Sequence, residues 1–206
     1  MVASLVYGTN NPAKLQAMRE CLAPTGIEVV GIAETRVAVP EAEEHGHTPL
    51  ENARIKALSY YAALRRPVFA CDSGLYIDGL PESRQPGVYV RTVNGRRLSD
   101  EEMISYYAAI AGEFGGKVSA RYKNAICLVI SENETYERFG NGISGEKFYL
   151  VDTPHQKRIE GFPLGSLSVD IKSGEYYYQD RVYGHADATT DGFQEFFRNV
   201  LKRFPC

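Results

Sequence analysis

The sequence predicts an α/β fold built on a mixed sheet with flanking helices and a secondary lobe. Three observations carry this. Short apolar runs at Val2–Gly8, Ile27–Ile32 and Val68–Cys71 alternate with two helical patterns, the opening of an α/β domain. A long extended stretch, Ser119–Ile130, is then followed by a hairpin partner at Tyr136–Ile143, which departs from a purely parallel repeat. The chain closes on an amphipathic helix from Thr190-Asp191, with Phe193, Phe196, Phe197, Val200 and Leu201 on one side.

Each element has local reasons. The first strand meets a turn at Gly8-Thr9-Asn10-Asn11-Pro12. Asn11 can cap the next helix, and Pro12 suits its first position. Leu15, Met18 and Leu22 give that helix an apolar stripe, and Pro24-Thr25-Gly26 ends it. After the second strand comes a polar loop, Ala33–His47, with an acidic cluster at Glu41, Glu43 and Glu44. Thr48-Pro49-Leu50-Glu51 is a capping box, and Ala53, Ala57, Leu58, Tyr61 and Leu64 form the apolar side of the helix it opens. The third strand is expected to stop at Asp72-Ser73-Gly74. Gly79–Gly95 reads as a surface loop. Ser99-Asp100-Glu101-Glu102 opens a helix reaching about Ala111, and Gly145–Tyr178 reads as short strands and turns.

With 206 residues, 44% hydrophobic and 24% charged, the composition is that of a globular protein, expected to form a single domain over residues 1–206 with two lobes and no separate linker. No apolar run is long enough to span a bilayer, and Met1–Gly8 lacks the pattern of a secretory signal. Cys21, Cys71, Cys127 and Cys206 form no Cys-x-x-Cys pair and no zinc pattern, so reduced thiols in a cytoplasmic protein are expected. A net charge of −3 argues against a nucleic-acid partner.

Three clusters carry chemistry. In Thr9-Asn10-Asn11-Pro12-Ala13-Lys14 a strand runs into a helix whose N-terminus attracts anions, and Lys14 adds a full charge. The same residues would also serve as a plain helix cap with a solvated lysine. There is no Gly-x-x-x-x-Gly-Lys loop. In the second cluster, Glu44 precedes a helix N-terminus, and Asn52 and Lys56 share one helix face. Glu51 is absorbed by the capping box, whereas Glu44 is a natural magnesium ligand beside an anion site. In the third, Asp72 at a strand end can hold a metal or take a proton from water, with Ser73 and Gly74 following.

These motifs resemble the inosine triphosphate pyrophosphatase family, the non-standard purine nucleoside triphosphate pyrophosphatases. The family's Glu-x-Gly-x-Thr-x-x-Glu-Asn-Ala-x-x-Lys-Ala is matched at every specified position from Glu44 to Ala57. Its Thr-Gly-Asn-x-x-Lys resembles Thr9–Lys14, its Asp-Asp-Ser-Gly-Leu resembles Cys71–Leu75, and its Pro-Gly-x-Tyr resembles Pro86–Tyr89. The likeness covers residues 3 to 92 well and the rest loosely. It implies an elongated mixed central sheet with flanking helices and two lobes around a nucleotide cleft, usually in a homodimer. It implies Mg²⁺-dependent cleavage between the α and β phosphates of inosine or xanthosine triphosphates, ribo or deoxy. By position the resemblance implies that Asp72 is the general base and, with Glu44, a metal ligand. It implies that Thr9, Asn10, Asn11, Lys14, Lys56 and Ser73 bind the triphosphate and that Phe162 and His185 contact the base.

The sequence departs from the family in three places. Cys71 replaces an acid. Gly161-Phe162-Pro163-Leu164-Gly165-Ser166 stands for Gly-Phe-Gly-Tyr-Asp-Pro. Gly184-His185-Ala186 stands for Ser-His-Arg, with Asp180 and Arg181 near the place of an upstream lysine. Two further readings therefore stand beside the first: a nucleotide-binding protein with little catalysis, and a related pyrophosphatase for other modified nucleotides, as in the similar septum-associated family.

Overall fold

The computed structural model describes residues 4–40, 42–140, 142–159, 162–177 and 188–202. The strand ladder runs Glu28–Gly31, Ser4–Tyr7, Val68–Ile77, Lys117–Ser131, Phe148–Val151, Ser168–Asp170, with Glu134–Phe139 paired to Lys117–Ser131, a mixed sheet as the sequence predicts. The chain forms two compact units, Met1–Ser73 with Lys123–Ser144 and His185–Cys206, and Gly74–Tyr122 with Gly145–Gly184.

In the first unit β1 (Ser4–Tyr7) lies parallel to β2 (Glu28–Gly31) and β3 (Val68–Ile77), with Tyr7 opposite Phe69. The later part of β6 (Lys117–Ser131) pairs antiparallel with β7 (Glu134–Phe139). Helices α1 (Pro12–Leu22), α2 (Pro49–Leu64) and α4 (Ala188–Leu201) complete it. The apolar residues of α1 and α4 meet the strands in one core of Leu5, Tyr7, Met18, Leu22, Phe69, Leu128, Phe193 and Phe197. Tyr7 stacks on Phe69 at 4.6 Å and Phe197 meets Phe69 edge-on at 5.0 Å, geometries that aromatic pairs prefer.

In the second unit the start of β6 pairs antiparallel with β8 (Phe148–Val151), and β8 with β9 (Ser168–Asp170). Helix α3 (Asp100–Glu113) begins with the expected capping box: Ser99 Oγ accepts from the Glu102 N–H, and the Glu102 carboxylate accepts from the Ser99 N–H. Its Met103, Tyr107 and Ile110 pack with Leu75, Ile77, Phe148 and Leu150.

Three expectations need correction. β3 does not stop at Asp72 but continues to Ile77, because Leu75 exchanges both backbone hydrogen bonds with Gly87 and so holds the Asp72-Ser73-Gly74 segment extended. Gly79–Gly95 is not all loop: it contains a 3₁₀ turn, Glu82–Arg84, and the strand β4 (Thr92–Val93), which pairs with β5 (Arg96–Arg97). Leu58 is 45% exposed, while α2 buries Asn52, Lys56 and Tyr60 alongside Ala53 and Ala57. Among the described residues no helix is long and apolar enough to cross a membrane. Cys21, Cys71 and Cys127 are free thiols.

Candidate functional site

Two helix starts and one strand assemble the site within the first unit. At the end of β1 the Gly8 N–H donates to the Phe69 carbonyl at 2.7 Å, tying the following turn to β3. A Cβ on Gly8 would lie 2.7 Å from the Tyr60 ring, so only glycine admits this packing. Asn11 then caps α1. Its Oδ1 accepts from the N–H groups of Ala13 and Lys14 at 2.9 and 3.2 Å, while Thr9 Oγ1 accepts from the Asn11 N–H at 3.1 Å. The first helical donors are therefore met by side chains. What remains to greet an anion is the Thr9 hydroxyl proton, the side-chain amides of Asn10 and Asn11, and the exposed Lys14.

The second helix start carries the charge centre. Thr48 and Glu51 cap α2 reciprocally, and Glu51 also accepts from the His47 N–H, so Glu51 is structural as its spacing predicts. One and two turns further on, Asn52 and Lys56 point to β3. Lys56 Nζ donates to Asp72 Oδ1 at 3.0 Å and to Glu44 Oε2 at 3.2 Å. Asn52 Nδ2 donates to the other Asp72 oxygen at 3.2 Å. The side chains of Lys56 and Asp72 are only 11% and 13% exposed, whereas that of Glu44 is 41% exposed. Burial works to lower the Lys56 pKa, but the neighbouring Asp72 and Glu44 carboxylates outweigh it and leave it above the usual lysine value. Lys56 is thus a fixed ammonium between two carboxylates.

Thr9–Asn11, Lys14, Glu44, Lys56, Tyr60 and Cys71 line a cavity of about 490 Å³, within the range of small-molecule sites. Asp72 joins it through Lys56. Cys71 sits where the resemblance calls for a carboxylate. Burial pushes its thiol up to about 12, against the opposing effect of its hydrogen bond with Tyr7, so it is neutral at physiological pH. Burial, followed by the nearby Cys71, also raises the Tyr7 phenol well above its usual value. The Ser73 hydroxyl donates to Asn124 Oδ1 at 2.8 Å, and the buried Asn124 amide donates to the Ile143 carbonyl at 2.7 Å.

The oxygen donors suit a hard divalent cation. Glu44 and Asp72 both face one nitrogen, and Mg²⁺ is commonly held by one or two carboxylates plus substrate phosphates. A neutral thiol adds nothing to that set. Among the described residues there is no group of three or more His, Cys, Asp or Glu that could hold a metal without such help.

Of the residues singled out in the sequence, Thr9, Asn10, Asn11, Lys14, Glu44 and Lys56 line one cavity, and Asp72 bonds to one of them. Phe162 belongs to the second unit, 42% exposed ahead of a 3₁₀ turn at Pro163–Leu167. His185 lies outside the described residues. Sequence reasoning gave no role to Asn52, Tyr60 or Gly46. The signal for the first two is the four-residue spacing Asn52-Lys56-Tyr60, one face of α2.

The chain is similar to known proteins over the segment that builds this cavity. The chain is 36% identical over 135 residues to a dITP/XTP pyrophosphatase of Rhodopseudomonas palustris, covering 62% of this chain and 61% of the relative. A Bradyrhizobium dITP/XTP pyrophosphatase is 44% identical over 137 residues, 65% of this chain and 62% of the relative. The match to both therefore spans less than two thirds of their length. A dITP/XTP pyrophosphatase of Exiguobacterium is 31% identical over 171 residues, 76% of this chain and 84% of the relative. Among solved structures, a HAM1 protein from Coxiella burnetii superposes with a TM-score of 0.71 at 24% identity, covering 98% of this chain and 99% of that one. The Staphylococcus aureus Ham1 protein does so with a TM-score of 0.71 at 22% identity, covering 96% and 99%. These two share the fold. The Ham1 family model matches residues 5–157, most of the chain and all of the cavity, and the chain belongs to the Ham1 family.

Proposed function

We propose that this chain hydrolyses non-standard purine nucleoside triphosphates, the inosine, deoxyinosine and xanthosine forms, to the monophosphate and pyrophosphate. The observation that carries the reading is the Glu44–Lys56–Asp72 cluster beside a cavity fronted by a helix N-terminus and Lys14. The names of the relatives point to the same substrates. Residues 1–206 are taken as one pyrophosphatase domain, in a cytoplasmic homodimer without a nucleic-acid partner.

In this account Lys14, Lys56, Thr9, Asn10 and Asn11 bind the phosphate tail by charge and hydrogen bonds. Glu44 and Asp72 would hold Mg²⁺, which when bound neutralises phosphate oxygens. Asp72 also accepts a proton from the attacking water, with Asn52 bonded to its other oxygen. Ser73 reaches the phosphates only by turning its hydroxyl from Asn124. Phe162 stacks on the base, and His185 adds a polar contact.

The test is pyrophosphate release with Mg²⁺ over inosine, xanthosine, adenosine and guanosine triphosphates and modified pyrimidine triphosphates. The expected result is release, highest for inosine and xanthosine. A preference for modified pyrimidines would replace the substrate class. The neutral Cys71 thiol favours a second reading, a nucleotide-binding protein with little catalysis. Tight nucleotide binding with no product across the panel would establish it.

A further inference from the structure

Asn52 is 5% exposed and uses both ends of its amide across two elements. Its Nδ2 donates to Asp72 Oδ2 on β3 at 3.2 Å, and its Oδ1 accepts from the Gly46 N–H at 2.8 Å. Gly46 lies two residues beyond Glu44 in the loop ahead of α2. This contact is at the limit of approach: a Cβ on Gly46 would stand 2.6 Å from Asn52 Oδ1 and 2.7 Å from Glu51 Cβ. Only glycine lets the loop backbone settle onto the amide. Lys56 makes a parallel link, bonding Asp72 with Glu44 directly, but through a flexible stem that a phosphate can draw away. The short, buried Asn52 has no such freedom.

We propose that Asn52 is a positioning residue that locks the Glu44 loop to Asp72, so that the two carboxylates keep their geometry when Lys56 turns to substrate. The inference rests on the reading of Glu44 and Asp72 as the metal-holding pair. A buried asparagine of plain structural value would affect stability alone. A positioning residue also sets cation affinity and turnover, as groups that orient ligating carboxylates do.

Asn52→Ala cuts both links. Asn52→Asp keeps an acceptor for the Gly46 N–H but turns the Asp72 donor into a repelling oxygen. Both variants are compared with wild type by thermal melting, by hydrogen exchange at the Gly46 amide, by Mn²⁺ binding in the presence of a non-hydrolysable inosine triphosphate analogue followed by electron spin resonance, and by kcat and KM for inosine triphosphate against Mg²⁺. For Asn52→Ala the expected results are faster exchange at Gly46, Mn²⁺ affinity and kcat each lower by about 10–100-fold, and a KM for nucleotide within about threefold of wild type, because Lys14 and the α1 turn are untouched. Asn52→Asp should keep Gly46 protected yet still lose turnover. A lower melting point with unchanged Mn²⁺ affinity and kcat in both variants overturns the proposal. A wild type that releases no pyrophosphate defeats the functional reading instead, and Mn²⁺ then decides: weaker binding in Asn52→Ala supports positioning, while equal binding, or none to wild type, overturns it.

Discussion

Replacing Lys56 by Met removes the cation between Asp72 and Glu44 while keeping an unbranched, buried stem. At an effective dielectric of about 20, unit charges about 3 Å apart attract by about 5–6 kcal/mol, against a desolvation cost of several kcal/mol per ion. The loss is therefore better judged from the group left behind. Asp72, 13% exposed, would keep its Asn52 bond but no cation. Breaking a buried pair in this way costs about 3–5 kcal/mol, and the surviving Asn52 bond places the effect near the lower end. Glu44, at 41% exposure, adds at most about 1 kcal/mol. Lys56→Met is thus expected to destabilise by about 3 kcal/mol, a melting point lower by roughly 6–12 °C for a chain of this size. Asp72→Asn in the Lys56→Met background should restore part of this, with a coupling of about 2 kcal/mol, since it removes the stranded charge. The assay is urea unfolding of the four proteins followed by far-UV circular dichroism, which does not need the absent tryptophan. Single losses that add within about 0.5 kcal/mol in the double variant, or a Lys56→Met loss below about 1 kcal/mol, would refute the coupled geometry.

Asp72→Asn alone should lower pyrophosphate release by about 10²–10⁴-fold, the usual cost of losing a general base, and wild-type turnover would remove Asp72 from that role. Gly192→Ala sets two principles in opposition: helix propensity favours alanine by about 1 kcal/mol, but its Cβ would overlap the carbonyl oxygen of Gly142 and lie 3.0 Å from Ile143 Cγ2. Steric conflict should win, with a net loss of about 1–3 kcal/mol in urea unfolding; a more stable variant would show that α4 can shift freely. Stability should also decline in alkali. Burial pushes the thiols of Cys71 and Cys127 up to about 12, so above about pH 9 the unfolded chain releases protons that the folded chain keeps, at about 1.4 kcal/mol per pH unit for each group. Lys56, held above its usual value, acts in the same direction at higher pH. Urea midpoints at pH 7.5, 9 and 10.5 check this, and a flat profile contradicts it.

Much of the fold was legible because the signals are local. Asn11-Pro12, Thr48-Pro49 with Glu51, and Ser99 with Glu102 each set a helix start through a cap within three residues, and each cap forms. The same local signals place the end of the third strand too early. Asp72-Ser73-Gly74 has the composition of a turn, but the backbone exchange between Leu75 and Gly87 overrides that preference, and nothing local announces it. The exposure of Leu58 follows from α2 burying a second, polar stripe, Asn52-Lys56-Tyr60, toward the cavity, whereas hydrophobicity alone finds only the alanine side. Site chemistry was legible by residue type at Glu44, Lys56 and Asp72. The geometry was not, since Asn52 and Lys56 meet Asp72 across 20 and 16 residues of chain. The residue type marks Lys56 as a cation for phosphate, but no local signal shows that its ammonium also bridges two carboxylates.

The central claim is cleavage between the α and β phosphates of a non-standard purine triphosphate. Phosphorus NMR of inosine triphosphate turnover with Mg²⁺, wild type beside Asp72→Asn, tests it most directly. The account predicts inosine monophosphate and pyrophosphate as first products, formed far faster by wild type. Inosine diphosphate and orthophosphate, or equal rates for the two proteins, would contradict it.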